Sequence, residues 1–163
     1  MKVLLVATDD RVRTQVKTAT LGMPDVEFFD VGTPHRALQQ LDDVGGFDIV
    51  IADNDTRPAG GYYLAREMGL RVQMGREDLP PVVLLLARTQ DQWLSNWSQA
   101  DAYVMKPVDP FNLTEAVEAL VDNRPIPKLP GVGGNPTPSV LDTPGPDATP
   151  QRQADMISDR EAS

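Results

Sequence analysis

Phe47-Asp-Ile-Val-Ile-Ala-Asp53 is an apolar run of strand length that ends on a carboxylate. Its length and its β-branched content favour a buried strand over a helix. Four more runs of this kind lie along the chain: Val3–Ala7, Val26–Phe29, Val82–Ala87 and Ala102–Met105. Val82–Ala87 is apolar throughout, the pattern of a strand covered on both faces. The last run leads into Lys106-Pro107, and the first into Thr8-Asp9-Asp10.

Between the runs lie amphipathic segments. Thr8 or Asp9 is placed to cap a helix that reaches about Leu21, with Val12, Val16 and Ala19 at helical spacing. Thr33-Pro34 opens a second helix, with proline where its missing N–H costs nothing, and Gly45-Gly46 closes it. A turn at Arg57-Pro-Ala-Gly60-Gly61 precedes a third helix carrying Leu64, Met68 and Val72. Trp93, Leu94 and Trp97 mark a fourth. Asp109-Pro110 opens a fifth, with Leu113, Val117, Leu120 and Val121 expected inward. Fivefold β–α alternation predicts an α/β fold: a five-stranded parallel sheet with helices on both faces. Right-handed crossovers favour the flavodoxin-like strand order 2-1-3-4-5. This body spans residues 1–123. Residues 124–163 hold eight of the fifteen prolines and four glycines, with no apolar period. Such a segment buries too little surface to offset its ordering entropy and is expected to be ordered only when bound.

Composition excludes several chemistries. There is no cysteine, hence no disulfide and no thiolate nucleophile. His35, the single histidine, sits at a helix start and reads as a solvated residue, so a catalytic triad is not expected. The net charge is −9, of which −8 lies in residues 1–123, and such a body repels nucleic acid. No apolar stretch approaches the ~20 residues of a membrane span. The five apolar residues after Met1-Lys2 are too few for a signal peptide. A cytoplasmic, non-enzymatic protein is expected, without insertion into a membrane.

In open α/β sheets ligands gather beyond the carboxyl ends of the strands, and Asp9, Asp53, Leu86 and Lys106 fall there. In this arrangement the chain, from about Lys2 to Asn123, resembles bacterial response-regulator receiver domains. Asp53 matches their phosphate-accepting aspartate, with Gly61 eight residues on. Lys106-Pro107 matches their lysine and its cis-bonded proline, and Tyr103 their aromatic switch position. The departures form a pattern. Where the family carries two acidic residues that hold Mg²⁺, this chain has Ala7 and Thr8. Where it carries a phosphate-contacting Ser or Thr, this chain has Leu86. The resemblance therefore implies a degenerate acceptor pocket. Asp53 and Lys106 would pair directly, with no cofactor, and Mg²⁺ could be held only through Asp9 and Asp53.

Each residue also has a plainer reading. Asp53 satisfies backbone donors at a strand end, Lys106 is a surface lysine, and Tyr103 packs on the last helix. Gly60-Gly61 serves backbone geometry rather than cradling a phosphate. Trp93 and Trp97, four apart on one helix face, either pack in the core, at least one of them, or stand out as binding anchors.

A narrower resemblance lies in Pro80–Arg88, Gln90-Asp-Gln-Trp93-Leu94, Trp97-Ser98, Ala100–Ala102 and Pro107-Val-Asp-Pro110. These stretches are similar to atypical, stand-alone receivers of actinobacteria encoded beside the genes for respiratory complex I. That resemblance implies an accessory or regulatory subunit docked on the cytoplasmic arm of NADH–quinone oxidoreductase. Trp93, Trp97 and the tail Arg124 to Ser163 are then candidate contacts. Two other functions stay open. One is a phosphorylatable single-domain response regulator in a two-component phosphorelay. The other is a small flavin or nucleotide binder, although Ala7–Arg11 lacks the glycines of a phosphate loop.

Overall fold

The computed structural model describes residues 1–134. Its elements run β1 (Lys2–Val6), α1 (Asp10–Ala19), β2 (Glu27–Val31), α2 (Pro34–Asp43), β3 (Ile49–Asp53), α3 (Gly61–Gln73), β4 (Val82–Leu86), α4 (Gln92–Ser98), β5 (Ala102–Met105), α5 (Pro110–Val121) and β6 (Val132–Gly134). The sheet order is β2-β1-β3-β4-β5-β6. The first five strands are parallel and in the flavodoxin-like order, as the alternation predicts.

β3 and β4 are buried along their whole length, which explains why neither shows an inside–outside alternation. On one sheet face Val12 and Val16 of α1 and Leu113 and Val117 of α5 cover Leu5, Ile51 and Leu85. On the other, Leu38 of α2 and Leu64 and Met68 of α3 cover Leu4, Val50 and Leu84. Each such aliphatic side chain contributes roughly 1.5–3 kcal/mol by leaving water. Caps define the helix starts. Asp9 accepts from Arg11 N, Thr33 from Arg36 N, and Asp109 from Phe111 N and Asn112 N. Val121, expected inward, lies in the last turn of α5 and is 40% exposed, and Val72, in the last turn of α3, is 49% exposed.

The sheet has one strand more than the sequence suggested. β6 is antiparallel and pairs with β5, Val132 opposite Val104 and Gly134 opposite Ala102. The chain leaves α5, returns along the body, and turns at Gly131, whose φ of +80° suits glycine. Val132 is buried beside Val104 and Leu113. Residues 124–134 thus belong to the body, although their composition reads as tail. Residues 135–163, and with them most of the expected strap, lie outside the described residues.

Tyr103 faces away from α5, against the expectation that it packs on the last helix. Its ring joins the cluster on the α2–α3 side and lies over Gly133 of β6. A methyl group at Gly133 would overlap that ring. Gly133→Ala is therefore expected to push Tyr103 off β6 and to cost about 1 kcal/mol, the worth of a cross-strand aromatic contact. The urea-unfolding midpoint measures this, and an unchanged midpoint would show that the ring does not hold β6.

Candidate functional site

The carboxyl ends of β1, β3, β4 and β5 bring Ala7, Asp53, Leu86 and Lys106 into one region. Asp53 is the last residue of β3 and is 1% exposed. The chain leaves it through a tight loop in which Asn54 N donates to Leu85 O and Asp55 N to Asp53 Oδ1, 3.2 Å away. The loop returns at Gly60-Gly61. A Cβ on Gly61 would sit 2.9 Å from Asp53 O, and one on Gly60 2.7 Å from Asn54 O. The two glycines are there for close backbone approach.

Lys106 follows β5, anchored by its N–H to Leu86 O at 2.7 Å. Its peptide bond to Pro107 is cis, as the resemblance implies. Its ammonium donates to Asp53 Oδ1 at 2.6 Å and to Asp55 Oδ2 at 2.8 Å. Its side chain is 14% exposed, against 2% for that of Asp53 and 57% for that of Asp55. Burial alone would pull the lysine pKa down. The hydrogen bonds to Asp53 and then Asp55, with their charges, outweigh it and hold the pKa above the ordinary lysine value. One cation is thus shared between two carboxylates. The sequence reading found the Asp53–Lys106 pair and missed Asp55. An acidic residue two positions beyond the strand-end aspartate was the available signal.

The positions beyond β1 supply no converging acids. Ala7 is fully buried, and its carbonyl accepts from Arg13 Nε at 2.9 Å. Thr8 Oγ1 donates to Gly32 O at 2.8 Å and accepts from Arg57 N at 3.0 Å, so it ties two loops together. Asp9 caps α1, and its carboxylate pairs with Arg11. That side-chain bond to the guanidinium holds its pKa below the usual carboxylate range. Leu86 is fully buried, an isobutyl group at the end of β4. Among the described residues no three acidic or histidine side chains converge as a metal site. A hard divalent cation takes six or more oxygen ligands. The Ala7 and Leu86 side chains and the engaged Thr8 offer it none, so a Mg²⁺ here would rest on the carboxylates of Asp53 and Asp55 with water completing its shell.

His35 lies outside this region, its ring 5.6 Å from that of Tyr63. Trp93 and Trp97 are both on the surface of α4, 61% and 49% exposed. Neither is a core residue, which corrects the expectation that at least one would be. The helix instead turns Ser95 and Ser98 inward. These small residues let α4 approach α3, where Gly69 faces Gln99.

No protein-family model matches the chain. It is 34% identical over 120 residues to two proteins of Mycobacterium tuberculosis, from strains CDC 1551 / Oshkosh and H37Rv, each described as an uncharacterized response regulatory protein. The match covers 71% of this chain and 84% of each relative. Among solved structures, a CheY-like response regulator receiver domain protein from Methanospirillum hungatei superposes with a TM-score of 0.60 at 22% identity. That match covers 75% of this chain and 94% of the other. A receiver domain of a sensor histidine kinase from Pseudomonas aeruginosa gives 0.63 at 17% identity, with 74% and 97% covered. That protein is described with a magnesium ion coordinated in its active-site cleft.

Proposed function

Because this chain belongs to the response-regulator receiver family, we propose that it acts through protein–protein contact, as a non-enzymatic accessory or regulatory subunit. Its acceptor pocket is degenerate, closed by an ion pair and without the two acids after β1 that hold Mg²⁺ in the family it resembles. The observation that supports this most is the Lys106 ammonium held between Asp53 and Asp55, with Ala7 and Leu86 buried beside them. Phosphoryl transfer to a carboxylate adds negative charge, and without a bound cation little is there to stabilise it. Incubation with acetyl phosphate and Mg²⁺ is expected to leave the intact mass unchanged under conditions that label an ordinary receiver. Appearance of a phosphoryl adduct on Asp53 would overturn the closed-pocket reading.

We take the partner to be NADH–quinone oxidoreductase, met on its cytoplasmic arm. Support comes from the sequence stretches between Pro80 and Pro110 that resemble receivers encoded beside that complex. The net charge of −9 agrees with a protein partner rather than nucleic acid. Among the described residues no helix is long and apolar enough to cross a membrane, so association with the complex would be peripheral. Affinity isolation from native membranes at moderate salt is expected to recover subunits of the complex. Deleting residues 135–163 should weaken that recovery while the body stays folded. Recovery of a histidine kinase and no subunit of the complex would favour the second reading.

That second reading is a phosphorylatable response regulator of a two-component system. Two observations favour it. The chain's curated relatives are described as response regulatory proteins. Among the described residues, both hydrogen bonds to the Asp53 carboxylate land on Oδ1, which leaves Oδ2 to accept a phosphoryl group. The acetyl phosphate experiment separates the two.

A further inference from the structure

We propose that Tyr62, Arg66, Trp93 and Trp97 form a docking face for a protein segment that presents an Asp or Glu beside an apolar side chain; this rests on the protein-contact reading above. The two tryptophans are exposed on α4, a helix with no charged residue in a chain of net charge −9. Tryptophan and arginine are the side chains most enriched at binding hot spots. Trp97 is not loose. Its ring meets that of Tyr62 edge-on at 6.2 Å, and the Arg66 guanidinium lies 4.8 Å above it. A guanidinium stacked on an indole is already oriented, so less entropy is lost when it binds a carboxylate.

Charge complementarity selects the occupant. Arg71, five residues further along α3, is paired with Asp42, and Arg88 before α4 is paired with Asp91. Arg66 has no carboxylate among the described residues. Its positive charge stands beside uncharged aromatic surface on an acidic protein, which draws an acidic partner here and repels it elsewhere. A second copy of this chain would set a net charge of −9 against −9, so a carboxylate carried on a less acidic protein is favoured over it. The face is also joined to the acceptor loop. Tyr62 N donates to the side chain of Asn54, the residue after Asp53, at 3.0 Å. A partner seated on Tyr62 and Trp97 therefore rests on the loop that carries Asp53 and Asp55.

The test uses the full chain in its native host. A photoreactive phenylalanine analogue replaces Asn96, which is exposed between the tryptophans, or Val44 at the end of α2 as a control. Illumination is expected to yield an adduct from position 96 and none from 44. The captured peptide should contain Asp or Glu next to an apolar residue. Arg66→Glu should lower the yield at least about tenfold and Trp93→Ala with Trp97→Ala about thirtyfold, while Arg66→Lys retains most of it. Unchanged urea midpoints would show that these variants fold. A captured peptide from NADH–quinone oxidoreductase supports both the face and the partner. One from another protein, with the same Arg66 dependence, supports the face and removes the partner. No adduct from position 96, or one indifferent to Arg66→Glu, overturns the face even if the complex still co-purifies with the chain. Co-sedimentation of the wild type with phosphatidylserine vesicles, lost in Arg66→Glu, would overturn it in favour of a lipid surface.

Discussion

Replacing Ala7 and Thr8 by Asp and Leu86 by Thr is expected to give a protein that needs Mg²⁺ for stability and accepts phosphate from acetyl phosphate. The physical chain is short. Ala7 is fully buried, so a carboxylate there leaves water and finds Asp53 as a like-charged neighbour. One lysine already divides itself between Asp53 and Asp55 and has little left to neutralise two more acids. Without metal the variant should lose about 3 kcal/mol, the usual cost of an uncompensated buried charge. A cation present at a hundred times its dissociation constant returns about 2.7 kcal/mol by binding only the folded form. The melting temperature in chelator, compared with that in millimolar Mg²⁺, reads this directly. Wild type should show almost no difference between the two. The threonine would supply the hydroxyl that Leu86 lacks, so the variant should also gain a phosphoryl adduct. A variant that stays inert and Mg²⁺-indifferent would show that more than these three side chains keeps the pocket closed.

Lys106→Met is expected to be the most destabilising single change in the pocket, by about 3–5 kcal/mol, because it strands Asp53 as a buried charge without a counter-ion. Asp53→Asn should cost less. Lys106 would keep Asp55 at 2.8 Å, and the amide can still accept from Asp55 N. The double variant should recover much of the loss, because neither charge is then left alone. Urea unfolding of the four proteins measures the coupling. The sign of its pH dependence follows from the lysine. Its folded pKa lies above the unfolded value. Its contribution is therefore complete below the ordinary lysine pKa and is lost only as pH rises through the raised one. The cost of Lys106→Met should be flat across neutral pH and shrink in strong alkali. A cost below about 1 kcal/mol at pH 7, typical of a surface ion pair, would show that the pair is not what closes the pocket.

Much of the parallel sheet was legible because β1, β3 and β4 are runs of Val, Ile, Leu and Ala bounded by polar or turn residues. The caps at Asp9, Thr33 and Asp109 were equally local and marked the helix starts. The gathering of Asp53 and Lys106 at one end of the sheet followed from strand order, and their direct pairing from the resemblance to receiver domains. β6 could not be read this way. Val132-Gly133-Gly134 has no period, and its partner β5 lies 28 residues or more earlier. What makes it a strand is the free edge of β5 and the ring of Tyr103 over Gly133, both supplied from outside the segment. α4 misled for a related reason. Tryptophan reads as core by its size, yet α4 buries only Ser95 and Ser98, and Trp97 lies along the outer edge of the α3 contact.

The order of residues alone thus determined the layers of this protein, the direction of its first five strands and the residues that meet at their carboxyl ends, because periodicity and capping act within a few residues. Tertiary structure decided what those residues do to each other. It placed one ammonium between Asp53 and Asp55, turned Asp9 to Arg11, set both tryptophans outward and brought residues 132–134 back onto β5. Each of these depends on distances between segments far apart in the chain, where burial and charge are shared and no local pattern records the outcome.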